Sequence, residues 1–119
     1  MALSILAGLL LAQAPAATVD VAYDELMAGR NEAAILRIET NPALDANDPA
    51  RLINLGIAHA REGRTEEARA MFRAAVRARD SVRLETAGGT WADSRDLART
   101  ALAMLEQGAF ENSAVFAAR

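Results

Sequence analysis

The sequence lacks cysteine and lysine entirely, and it contains a single histidine and few aromatic residues. The absence of cysteine excludes disulfides, a thiol nucleophile and a lipid-modified cysteine anchor. Aromatic residues make up only 4% of the chain, which disfavours a sheet-rich core. The 13 basic residues are all arginine and are outnumbered by 16 acidic residues. The resulting net charge of −3 offers no basic excess for binding nucleic acid, and no nucleic-acid partner is expected.

Alanine dominates what is present. The chain has 29 alanines among 119 residues, and alanine has the highest intrinsic helix propensity. A chain of this length buries one hydrophobic core and forms one small domain. We therefore expect an all-α fold.

The first residues have the pattern of a secretory signal peptide. Residues 2–12 are uncharged and apolar, and small residues follow around Pro15. Cleavage is expected after Ala16, with Ala17 as the second choice, which predicts a signal peptide over 1–16 and a mature domain over 17–119. The apolar run is too short to span about 30 Å of hydrocarbon, so no stable membrane insertion is expected after cleavage. The arginine-only, alanine-rich composition is typical of a GC-rich bacterial gene, and a periplasmic location is expected.

An internal repeat is visible in the mature chain. The segment Gly29-Arg30-Asn31-Glu32-Ala33-Ala34 recurs 34 residues later as Gly63-Arg64-Thr65-Glu66-Glu67-Ala68. Residues 49–82 resemble a tetratricopeptide repeat, whose length is also 34. The eight signature positions of that family are filled by Leu52, Leu55, Gly56, His59, Ala68, Phe72, Ala75 and Asp80. The resemblance implies antiparallel helix-turn-helix repeats stacked as an α-solenoid.

Local signals also predict a helical hairpin over residues 49–82. Asp48 can cap a helix that begins at Pro49, where a missing N–H has no cost. Gly63 can end that helix in a left-handed conformation, and Thr65 is expected to cap the next one. Gly56 lets the two helices approach closely.

The rest of the chain departs from this pattern. Residues 17–46 are interpreted as a degenerate repeat whose second helix ends early at Asn41-Pro42. Residues 82–92 contain Gly88-Gly89 between short alternating runs, which predicts an insertion with a small β-hairpin. Residues 93–118 are interpreted as a third, divergent repeat or as capping helices, with Gly108 in the role of Gly63.

The family resemblance implies a concave groove lined by the first helix of each repeat. Asn54 occupies a position where the family often places an asparagine that hydrogen-bonds a ligand backbone or carboxylate. Arg95 and Arg99 resemble the basic pair of the family's carboxylate-clamp members, although Val19 and Tyr23 depart from that clamp. The predicted peptide-binding groove comprises Tyr23, Ile53, Asn54, Ile57, Arg61, Arg95 and Arg99.

Other candidate sites are weaker. His59 and Glu62 share a helix face, but two ligands without a third make a poor metal site, and His59 fills an inter-helix position of the repeat. Arg69, Arg73 and Arg77 form a stripe that is expected to be a solvated face. Trp91 is expected to fold back as an apolar plug. No catalytic residue, metal or cofactor is predicted.

These observations predict a non-catalytic module that binds a protein or peptide segment in the bacterial envelope. The alternative is a structural module that self-associates as a homodimer. In that case its apolar end faces near Phe110 and Phe116 would pair.

Overall fold

A computed structural model describes residues 20–110 and residue 118. This part of the chain is mostly helical and includes a small two-stranded sheet. The elements in chain order are α1 Tyr23–Met27, α2 Asn31–Glu39, α3 Pro49–Arg61, α4 Thr65–Arg77, β1 Arg83–Glu85, β2 Trp91–Asp93 and α5 Ser94–Glu106. The predicted signal peptide and Phe116 lie outside the described residues.

Helices α3 and α4 form the hairpin at the centre of the fold. The carboxylate of Asp48 accepts the N–H of Arg51 at 3.0 Å, and Pro49 is the first residue of α3, as predicted. The prediction that Thr65 caps α4 is wrong, because Arg64 occupies the N-cap position and Thr65 is the first helical residue. Glu66 and Glu67 in the first turn of α4 stabilise its positive end.

Three helix ends share one turn geometry. Gly29, Gly63 and Gly108 follow α1, α3 and α5 and have φ of 75°, 77° and 66°. In each turn the residue after the glycine donates its N–H to the carbonyl five residues earlier. These hydrogen bonds run from Arg30 to Glu25 at 2.8 Å, from Arg64 to His59 at 2.8 Å and from Ala109 to Met104 at 3.0 Å.

The predicted β-hairpin is confirmed. Strands β1 and β2 pair antiparallel around the Gly88-Gly89 turn. Leu84 and its cross-strand partner Ala92 pack against the core. Because successive strand residues point to opposite faces, Trp91 points outward and is 57% exposed. The expectation that Trp91 forms an apolar plug is therefore wrong.

The core is built around α3, which contacts each of the other four described helices. Residues 52–58 are consequently buried without interruption. The ring of Phe72 on α4 packs against Gly56, where a Cβ would lie 2.6 Å from the Cδ1 atom of Phe72. Phe110 stacks on Phe72 with ring centroids 5.5 Å apart, so Phe110 is a core residue and not an exposed end face. No helix among residues 20–110 is long and apolar enough to cross a bilayer.

Candidate peptide-binding site

The side chain of Asn54 on α3 binds the backbone of a distant part of the same chain. Its Oδ1 atom accepts the N–H of Ala118 at 2.7 Å, and its Nδ2 atom donates to the carbonyl of Ala118 at 2.9 Å. Nδ2 also donates to the carbonyl of Val21 at 2.9 Å. Asn54 is fully buried, and both of its N–H donors and its carbonyl oxygen are therefore used.

The other side of Ala118 faces β1. Thr86, the residue after β1, forms an antiparallel bridge with Ala118. Thr86 donates its own N–H to the carbonyl of Thr90 at 2.8 Å within the hairpin, so Ala118 pairs on the edge of β1 that faces away from β2. Ala118 thus lies between a strand edge and the carboxamide of Asn54, which takes the place of a further strand.

A small apolar enclosure receives the methyl group of Ala118. Ala118 is fully buried and clusters with Val21 and Ala50, against which Leu44 and Leu84 also pack. We call this arrangement the Ala118 slot; it comprises Val21, Leu44, Ala50, Asn54, Leu84 and Thr86. The slot reads an extended backbone through hydrogen bonds and admits a small side chain, which is the chemistry of strand addition.

The predicted groove residues on α3 are enclosed. Ile53 is 1% exposed and Ile57 is fully buried, so neither lines an open surface. The sequence analysis placed them on a solvent-facing groove because it treated α3 as having one free face. In the structure the neighbouring helices cover that face. Tyr23, the predicted groove residue on α1, is half-buried and packs against the same core.

Arg61 ties α3 to the first helix. Its Nη1 atom donates to the carbonyl of Leu26 at 2.8 Å and to the Oδ1 atom of Asn31 at 3.4 Å. Burial of the guanidinium lowers the pKa of Arg61, and its Nη2 atom is buried with no hydrogen-bond partner in the described structure. Arg61 therefore closes the end of α1 and does not reach the Ala118 slot by any contact described here.

The two predicted clamp arginines on α5 serve different purposes. Arg95 donates to the carbonyls of Ala78 and Arg79 at 2.8 and 2.9 Å, which holds the segment between α4 and β1. Arg99 pairs with Asp96 at 3.0 Å on the surface of its own helix. The structure does not join them as a clamp, because Arg95 is committed to backbone carbonyls.

The arginine stripe on α4 is only partly a solvated face. Arg69 pairs with Glu66 on its own helix and with Glu106 at 3.2 Å on α5. Its hydrogen bonds to Glu66 and Glu106 raise the pKa of Arg69. Arg73 and Arg77 are exposed, as predicted.

Sequence reasoning missed most of the slot. Asn54 is the one slot residue it singled out, through its position in the repeat. Val21, Ala50, Thr86 and Ala118 carried no motif, because a small apolar residue and a threonine are common everywhere in such a chain. Alternation over residues 82–92 was the only signal that could have pointed to Thr86.

Two further features were examined for chemistry. Among the described residues, no group of three or more His, Asp or Glu side chains could hold a metal ion. A surface depression of about 300 Å³ contains Asp45, Asp48 and Asp80. Asp45 and Asp48 already accept backbone N–H groups of Asn47 and Arg51, so their carboxylates serve local turns and a helix cap.

No protein-family model, curated protein or solved structure matches this chain.

Proposed function

We propose that this protein is a non-catalytic binding module of tetratricopeptide-like helical hairpins, exported to the bacterial envelope. It holds an extended segment of a partner protein in the Ala118 slot. The observation that carries the proposal is the pair of hydrogen bonds by which Asn54 binds both the N–H and the carbonyl of Ala118. Asn54 stands at the repeat position from which the resembling family binds a ligand backbone.

The shared turn geometry supports the repeat interpretation. The turns at Gly29 and Gly63 are 34 residues apart and have nearly the same dihedral angles. The turn at Gly108 follows a helix of 13 residues, the same length as α3, and both helices have an aspartate at the N-cap. These correspondences favour α5 as the first helix of a third repeat.

A crosslinking experiment tests the proposed function. A photoreactive residue is placed at position 87, next to Thr86, in the full chain expressed in its native envelope. We expect an adduct with a protein other than this chain, in which the attachment maps to an extended segment. The adduct should be lost in Asn54→Asp, which keeps the shape of the side chain but removes both N–H donors.

The matched control is Asn47→Ala, which changes an exposed asparagine in the loop before α3. This variant should retain the adduct. An adduct that survives Asn54→Asp in a folded chain would contradict the proposal. Circular dichroism of each variant establishes that the chain is folded.

The homodimer remains the second candidate because two large apolar side chains are exposed on the first hairpin. Leu36 on α2 is 65% exposed and Met27 on α1 is 45% exposed. Isolated exposed apolar residues are common on monomers, so the test is the mass in solution. If this face pairs, Leu36→Asp should convert a dimer into a monomer in light scattering, whereas a monomeric wild-type chain contradicts the dimer.

A further inference from the structure

We infer that the slot selects an extended segment with a small, non-proline residue at the position taken by Ala118, and that Ala118 itself is a tethered competitor for that position. This inference rests on the proposed function, since it names the ligand class and the regulation of the same site. It follows from which atoms of Ala118 are bound and how its side chain is enclosed.

The backbone contacts set the first requirement. Asn54 and Thr86 contact Ala118 from its two sides, so the slot accepts only an extended backbone. These contacts use backbone atoms that nearly all residues share, which makes them tolerant of sequence. Proline is the exception, because it lacks the N–H that the Oδ1 atom of Asn54 accepts.

The enclosure sets the second requirement. The methyl group of Ala118 is fully buried against Val21 and Ala50, with Leu44 and Leu84 beside them. The slot is therefore filled by one methyl group, and a branched or aromatic side chain would overlap these neighbours. Alanine, glycine and serine fit the space, whereas leucine does not.

The tether gives the competition. Ala118 belongs to the same chain as the slot, and a short connection holds it near the slot at a high effective concentration. An external segment binds only the fraction of molecules in which the slot is open, so its apparent affinity is reduced by that fraction. Substitutions that expel Ala118 should therefore increase the affinity for an external segment.

The probe is a fluorescein-labelled synthetic peptide with the sequence of residues 112–119, NSAVFAAR. It is titrated against the full chain carrying Ala118→Arg, in which the charged side chain cannot enter the slot. The matched control is Ala118→Ser, which still fits. We expect fluorescence anisotropy to show binding to Ala118→Arg that is about tenfold or more tighter than binding to Ala118→Ser.

Peptide variants test the size and backbone requirements on the Ala118→Arg chain. Glycine or serine at the position of Ala118 should keep the affinity within about threefold, whereas leucine or proline should weaken it by about tenfold or more. Asn54→Asp combined with Ala118→Arg should remove the binding. Equal binding of the alanine and leucine peptides, or no gain on Ala118→Arg in a folded chain, would overturn the inference.

A second measurement covers the case in which Ala118→Arg does not fold. Excess unlabelled peptide is added to the wild-type chain, and the side-chain amide signals of Asn54 are followed by nuclear magnetic resonance. Displacement by the alanine peptide but not by the leucine peptide supports the inference, and the absence of both overturns it.

The outcomes separate this inference from the proposed function. Selective peptide binding without any adduct to another protein would leave a self-filled slot and contradict only the proposed partner. An Asn54-dependent adduct without size selection would contradict only the inference. Peptide-independent pairing of two chains through exchanged Ala118 segments would appear as a dimer in light scattering and would also contradict the competition within one chain.

Discussion

The two helical hairpins of this protein have the same turn but differ in their helices. The turns at Gly29 and Gly63 have φ of 75° and 77°, and the residue after each glycine donates the same hydrogen bond at 2.8 Å. Yet α1 has 5 residues and α3 has 13. The turn is set by local residues, whereas the length and burial of the preceding helix depend on what packs around it.

The largest expected effect comes from emptying equivalent core positions of the two hairpins. Phe72 on α4 and Ile38 on α2 are 34 residues apart, and both are buried. Phe72→Ala should lower the free energy of unfolding by about 3–5 kcal/mol, and Ile38→Ala by about 2 kcal/mol, because the larger ring leaves the larger cavity. Urea unfolding measures both. A greater loss for Ile38→Ala would show that the first hairpin, and not the second, carries the core.

The helix approach can be tested at Gly56 and at its equivalent, Ala22. Gly56→Ala should cost about 1–3 kcal/mol, because the added methyl group overlaps the ring of Phe72. Ala22 has a left-handed φ of 62°, so Ala22→Gly relieves about 1 kcal/mol of strain. It also removes a buried methyl group worth about 0.8 kcal/mol, so the net change should be close to zero. Thermal unfolding of both variants checks the contrast, and a tolerated Gly56→Ala would refute the close approach.

The shared turn predicts equal effects at Gly29 and Gly63. A Cβ at either glycine has open space around it, so substitution by alanine costs only the left-handed conformation. Gly29→Ala and Gly63→Ala should each lower the stability by about 1 kcal/mol. The control is Gly88→Ala, which has no positive φ to preserve. Unequal losses in calorimetry would mean that the two turns are not set locally.

The smallest expected effect concerns acid stability at the start of α5. The side chain of Ser81 and the backbone N–H groups of Arg95 and Asp96 bind the carboxylate of Asp93 and lower its pKa. Since the pKa is lower in the folded chain than in the unfolded one, the ionised form stabilises folding. This contribution is present above the unfolded pKa of about 4 and is lost as the pH falls through the folded value.

Asp93→Asn should therefore flatten the decline in the free energy of unfolding as the pH falls below about 4. Ser81→Ala should flatten it as well, because it removes the largest cause of the shift. Denaturant titrations across this range provide the measurement. An unchanged acid dependence in both variants would show that Asp93 does not carry it.

The fold was predictable where short-range chemistry decides it. The cap at Asp48, the glycine turns, the close approach at Gly56 and the β-hairpin were all read from neighbouring residues. The candidate site was predictable only at Asn54. Ile53 and Ile57 were placed on an open groove because periodicity reports which faces of a helix are apolar but not how many neighbours cover them.

The sequence by itself determined the helix boundaries around α3 and α4, the left-handed glycines and the position of the hairpin, because these depend on dihedral preferences and hydrogen bonds within a few residues. Only the tertiary structure decided that α3 is surrounded and that Ala118 fills the site at Asn54. That contact joins residues 64 positions apart. It depends on the arrangement of α3, β1 and Val21 together, and no local pattern encodes such a meeting.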